Sequence, residues 1–212
     1  MPRVTGGSID AHRRLTRQRI FEAFADLLER DGYDAITLAE VAATAGMSRT
    51  TMYNYFPDKD ALVVAFAAEE AGRDVADLSE ALAEVENPVD QLRLYVAERI
   101  RYAATHRLPP GRSLRLALSG AAYQRILEHV SVLEEILRDI LERGAAEGYF
   151  PLDDVEATIP LVMACLGQAE TDDVRDGDLD EIVEVTETFV LRALGVRLGP
   201  NGRPRRYARL AR

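Results

Sequence analysis

Apolar residues recur along this chain at three- and four-residue spacing almost throughout, a pattern that predicts helices and leaves no run of strand-like alternation. Ile20, Phe24, Leu27 and Leu28, widened by Phe21, mark one face of a helix from about Ile9 to Arg30, which Asp31-Gly32 ends. A long helix from Asp58 to around Ala83 closes before Asn87-Pro88. Val89, Leu92, Val96, Ile100 and Ala103 form the next stripe, stopped by Pro109-Pro110. A short helix over Ser113–Leu118 precedes a break at Ser119-Gly120. Further helices are predicted over Ala121–Ala146, Asp153–Ala169 and Asp178–Leu194, the penultimate one bent at Pro160 because proline removes a backbone donor.

Between residues 37 and 56 the pattern is more specific. Thr37 followed by Glu40 fits a capping box that starts a helix at Leu38. Gly46 sits where that helix must stop, since glycine adopts the left-handed end conformation without penalty. Ser48 then caps a second short helix running through Met52 to about Phe56. Val41, Ala42, Met47 and Met52 are spaced to pack the two against each other. Two short helices crossed at a glycine turn are a helix-turn-helix, which offers its second helix to the DNA major groove.

The wider string, Gly32-Tyr33, Thr37, Val41-Ala42, Ala45-Gly46, Ser48, Thr51, Tyr53, Tyr55-Phe56, Lys59 and Leu62, closely resembles the DNA-binding domain of the TetR family of transcriptional regulators. The resemblance by motif covers about the first third of the chain; the remainder agrees in length and helical character. Thr50 departs from the family's frequent glycine or alanine, which bears on operator sequence rather than fold. The resemblance implies an all-α protein of about nine helices. A helix-turn-helix domain over 9–62 would be followed by a ligand-binding and dimerisation domain over 63–198, with flexible tails at 1–8 and 199–212. It also implies a repressor released from a palindromic operator by a small molecule.

A net charge of −10 over 212 residues argues at first against nucleic acid. Its distribution reverses that reading. Residues 1–62 carry a net −1, residues 63–200 a net −14, and residues 201–212 carry five arginines and no acid. Local positive potential at the reader therefore survives. Lys59 is the single lysine among 26 basic residues, and its place in the first turn of a helix suits a phosphate anchor. The N-terminus lacks a secretory apolar stretch, no apolar run is long enough to span a membrane, and Cys165 has no partner cysteine. The expected location is the cytoplasm.

Candidate contacts follow from chemistry. Arg49 opens the second helix, and its fork matches guanine O6 and N7, with a phosphate contact as the alternative. Thr50 suits a thymine methyl or a phosphate, and Asn54 suits adenine or a phosphate. Thr37, Ser48, Thr51, Tyr53, Tyr55 and Lys59 suit backbone anchoring, against simple packing for the two tyrosines. Arg13 and Arg17 lie one turn apart and would clamp flanking phosphates or form a solvated face. In the second domain Tyr95, Arg99, Tyr102 and His106 recur on one helix, joined by Arg115 and Tyr123, as an effector-pocket lining or as side chains reaching to water. Ile159, Val162, Met163 and Leu166 with Ile182, Val183, Val185, Val190 and Leu194 provide apolar faces for a homodimer, or for an internal core. No nucleophile–base pair, metal-ligand spacing or phosphate-cradling loop marks an enzyme, and no cofactor is implied. A different class of function, a helical binding module whose helix-turn-helix is only structural, is separated by salt-dependent DNA binding.

Overall fold

The computed structural model describes residues 6–105, 115, 118–169 and 178–207. Eight helices lie among them: α1 (Gly6–Asp31), α2 (Leu38–Thr44), α3 (Arg49–Tyr55), α4 (Lys59–Ala83), α5 (Pro88–Thr105), α6 (Gly120–Ala146), α7 (Val155–Ala169) and α8 (Leu179–Ala193). The all-α reading holds, and the local signals account for the ends. Asp58 accepts from the Ala61 amide to start α4, Asn87 accepts from the Val89 amide to start α5, and Asp178 caps α8. Gly148 and Gly195, at φ 80° and 71°, follow the ends of α6 and α8. Pro160 lies inside α7, as expected. Helix α1 begins three residues earlier than its apolar stripe suggested. The short helix expected at Ser113–Leu118 falls outside the described residues except at Arg115 and Leu118.

The chain divides into two compact units, Met1–Glu69 with Arg107–Ile126 and Glu70–His106 with Leu127–Arg212. The expected boundary at 62/63 moves because Val63, Phe66 and Ala67 are buried in the first unit's core. There Phe66 meets Phe24 edge-on at 5.2 Å and Phe21 at 5.6 Å, around fully buried Ile20, Val41, Met52 and Leu62. The second unit packs Leu92, Tyr95 and Ile100 of α5 against Leu137 and Leu141 of α6, with α7 and α8 closing the cluster.

One correction concerns the C-terminus. Residues 199–207, expected to be a flexible tail, fold as part of a hairpin in which β1 (Arg197–Leu198) pairs with β2 (Pro204–Arg205). The segment is tied down by the Tyr207 amide on the Gly148 carbonyl (2.7 Å), the Tyr207 hydroxyl on Gly195, and Arg206 on Glu147. Two-residue strands carry too little alternation to read from sequence.

Two glycines give opposite predictions. A Cβ at Gly144 would stand 2.0 Å from the Phe150 ring, so Gly144→Ala should lose about 1–3 kcal/mol by overpacking. Exposed Gly72 in α4 has open space, so Gly72→Ala should gain about 0.5–1 kcal/mol. Urea denaturation of both variants checks the pair.

Candidate nucleic-acid interface

Helix α2 starts as its sequence requires. The Thr37 hydroxyl accepts from the Glu40 amide (3.3 Å), while the Thr37 amide and hydroxyl both donate to the Glu40 carboxylate at 2.8 Å. These bonds, side chain first, hold the Glu40 carboxyl below its ordinary range. The helix ends at Ala45 with Gly46 at φ 66°. A contact that sequence reasoning missed secures this turn: Arg19 of α1 donates to the Ala45 carbonyl at 2.7 Å. An arginine meeting a helix C-terminus also complements its dipole, but nothing in spacing alone links residues 19 and 45.

Ser48 then caps α3, accepting from the Thr51 amide at 3.1 Å, and the two hydroxyls lie 2.8 Å apart. Met52 is fully buried, whereas Arg49, Thr50, Tyr53 and Asn54 are exposed. Thr51 is half-buried, and the half-buried Tyr55 ring packs on the core. The second helix of the motif thus holds on by one face and shows the other. Past its C-terminal end runs an open groove lined by Asp10, Arg13, Arg14 and Arg17 of α1 with Asn54, Tyr55 and Phe56. Arg17 stacks over Phe21 and Phe56, its guanidinium carbon 5.1 and 5.9 Å from the ring centroids. The structure brings the expected Arg13 and Arg17 together and adds Arg14.

Lys59 departs from its expected role as a phosphate anchor. Its Nζ donates to the Tyr33 carbonyl at 2.5 Å and sits 3.9 Å from the centroid of the Tyr33 ring. The side chain is half-buried, and burial pushes its pKa down against the pull of Asp34, Asp60 and Glu40. It staples the start of α4 to the α1–α2 turn.

Of the six expected pocket residues, Tyr95, Arg99 and Tyr102 lie in the second unit and Tyr123 in the first. Tyr95 is fully buried, its hydroxyl donating to the Leu133 carbonyl (3.1 Å) beside the Met163 sulfur. Arg99 is buried in an ion pair with Asp74 of α4, with Tyr102 stacked at 4.7 Å. Both belong to the polar part of the core. Tyr123 packs on the first unit's core instead, Arg115 is exposed, and His106 lies outside the described residues. An open groove in the second unit is lined by Ser79, Leu82, Gln91, Ile136, Asp139, Ile140, Glu142 and Arg143, none of them expected.

Most of the residues expected at a dimer face lie in the core of their own unit. Ile159, Val162, Leu166, Val183, Val190 and Leu194 are buried in their own unit, and Met163 and Ile182 pack against that core. Of the residues named, only Val185 is exposed.

The model of the family described as bacterial regulatory proteins, tetR family, matches residues 20–66. A repressor named AcnR from Corynebacterium diphtheriae is 32% identical over 136 residues, 63% of this chain and 67% of that protein. The chain belongs to the TetR family. The AcnR repressor of Corynebacterium efficiens is 28% identical over 84% of this chain and 93% of its own length. Among solved structures, the TetR-like fold is shared by FadR of Bacillus subtilis in complex with stearoyl-CoA, with TM-score 0.70, 19% identity, and coverage of 82% and 97%. As a TetR-family protein the chain is a DNA-binding transcriptional regulator, and the α2–α3 motif falls inside the matched segment.

The cap makes a pH prediction. Glu40 has a folded pKa below its unfolded value of about 4.3, so its contribution is complete above that value and is lost as pH falls through the lowered one. Glu40→Gln should flatten the acid limb of stability below about pH 4.3, and Thr37→Ala should lose about 1 kcal/mol. Circular dichroism melts across pH check both.

Proposed function

We propose that this TetR-family regulator is a cytoplasmic, dimeric repressor without enzymatic activity, freed from a palindromic operator by a small molecule bound in its second unit. One observation carries the reading: α3 is anchored by Met52 alone among its fully buried side chains, while Arg49, Thr50, Tyr53 and Asn54 face solvent. Arg49 reads guanine, Thr50 meets a thymine methyl, and Asn54 reads adenine or bonds a phosphate. The groove of Arg13, Arg14 and Arg17 takes the flanking phosphates, with Arg17 preorganised by the two rings beneath it. Ser48, Thr51, Tyr53 and Tyr55 complete the backbone contacts, with exposed Thr37 at the edge, and Lys59 supports them from inside the domain. The relatives named as repressors support the sign of regulation.

Two copies place two readers on half-sites about one turn of DNA apart, or a multiple of it. Helix α4, whose first part belongs to the first unit and whose remainder belongs to the second, carries the effector signal. The effector must weaken operator binding by the same factor by which the operator weakens effector binding.

Selection of duplexes from a random pool, followed by binding across salt, tests the reading. The dimer should select an inverted repeat, with log affinity falling by about 0.9 per log salt for each phosphate neutralised. Arg49→Ala should relax preference at one base step per half-site at about 1–3 kcal/mol. Arg14→Ala should weaken all sequences alike and flatten the salt slope by about one contact per subunit. Long-chain acyl-CoA is the first effector probe, because the Bacillus subtilis structure holds one. No selected sequence, or a response flat in salt, would leave a helix-turn-helix that is only structural.

A further inference from the structure

Arg19 is exposed on α1 and pairs with no carboxylate among the described residues. Beside a DNA reader such an arginine would ordinarily count as one more phosphate contact. Its geometry gives it a different task. The guanidinium reaches across 26 positions of sequence and donates to the Ala45 carbonyl at 2.7 Å. That carbonyl lies past the last turn of α2, whose own acceptors Val41, Ala42 and Ala43 are already taken by the Ala45, Met47 and Gly46 amides. It stands in the turn that leads into Ser48 and Arg49, where α3 begins. The fit there is close: a Cβ on Gly46 would stand 3.3 Å from the same Arg19 nitrogen.

The core that joins α1, α2 and α3 is apolar, with Ile20, Phe24, Val41 and Met52 among its fully buried members. Apolar attraction is non-directional, so it gathers the helices without by itself fixing the angle of the turn between two of them. A hydrogen bond weakens steeply when bent. One from a guanidinium is charge-assisted, and at the end of α2 it also meets the negative end of the helix dipole. Direct readout needs that angle, because a side chain that bonds a base edge tolerates little displacement.

We propose that Arg19 is a positioning residue for operator reading. Through the Ala45 carbonyl it sets the angle at which the turn delivers α3 to the bases, and it makes no phosphate contact of its own. This role rests on the reading of α3 above and adds to it a residue from outside the motif.

Binding of two full-length variants to the duplex that the parent selects and to a random duplex tests the role, at a temperature where melting shows each variant folded. Arg19→Met keeps the stem and removes the donors. It should lose about tenfold or more in affinity for the selected duplex, the scale of one mismatched base pair in a site. Its affinity for random duplex, and the salt slope there, should equal the parent's. Arg19→Lys, which keeps a donor on a shorter stem, should show a smaller loss of the same kind, and it decides the matter by itself if Arg19→Met does not fold. Equal losses on both duplexes, with a salt slope lower by about one contact per subunit, would make Arg19 a phosphate ligand and overturn the proposal. So would no loss on either duplex, which leaves the bond to Ala45 a matter of folding alone, or a lysine variant no better than the methionine one. A parent chain that selects no sequence overturns the base-reading role of α3, and this role with it.

Discussion

An isolated helix of seven residues is not stable in water, and α3 runs only from Arg49 to Tyr55. Its existence is imposed by what surrounds it. Ser48 satisfies its first free amides, Met52 inserts into an aromatic and aliphatic core, and Gly46 turns the chain so that α3 starts at the required place. Arg19 fastens that turn by taking the carbonyl at the end of α2. All of this restraint acts on the inner side or the ends of the helix. The outer side is therefore rigid in position yet free in contact, as a surface that reads another molecule must be.

The same economy extends around the reader. Arg17 sits over the Phe21 and Phe56 rings, which also belong to the core, and lines the groove beside α3. Lys59 closes the opposite corner by tying α4 to Tyr33. If the groove takes phosphates as proposed, a side chain already held by packing, as Arg17 is, loses little further freedom on binding.

What could be read from sequence was whatever chemistry is local. Thr37 with Glu40, Gly46 and Ser48 each act on backbone within a few residues, so their roles are legible in the sequence. Roles that depend on distant neighbours were not. Nothing near Lys59 shows that Tyr33 will receive it, and nothing near Arg99 shows that Asp74 lies across from it. Helices α7 and α8 mislead for another reason: both of their sides are apolar. Periodicity identifies the stripe through Ile159, Val162 and Leu166, but it does not say whether that stripe or the one through Leu161 meets the core. The stripe through Ile159, Val162 and Leu166 lies in the unit's own core, the second of the two readings that the sequence leaves open. The hairpin at 197–205 escaped because four residues in strand form no period.

The account stands on two copies of α3 presenting their outer faces to one side of a duplex. Hydroxyl-radical footprinting of the selected operator measures this directly. Two protected patches related by a dyad on one face of the DNA, with centres about 10–10.5 base pairs apart or a multiple of that, are the predicted result. A single unpaired patch, or protection that follows no helical face, would contradict it.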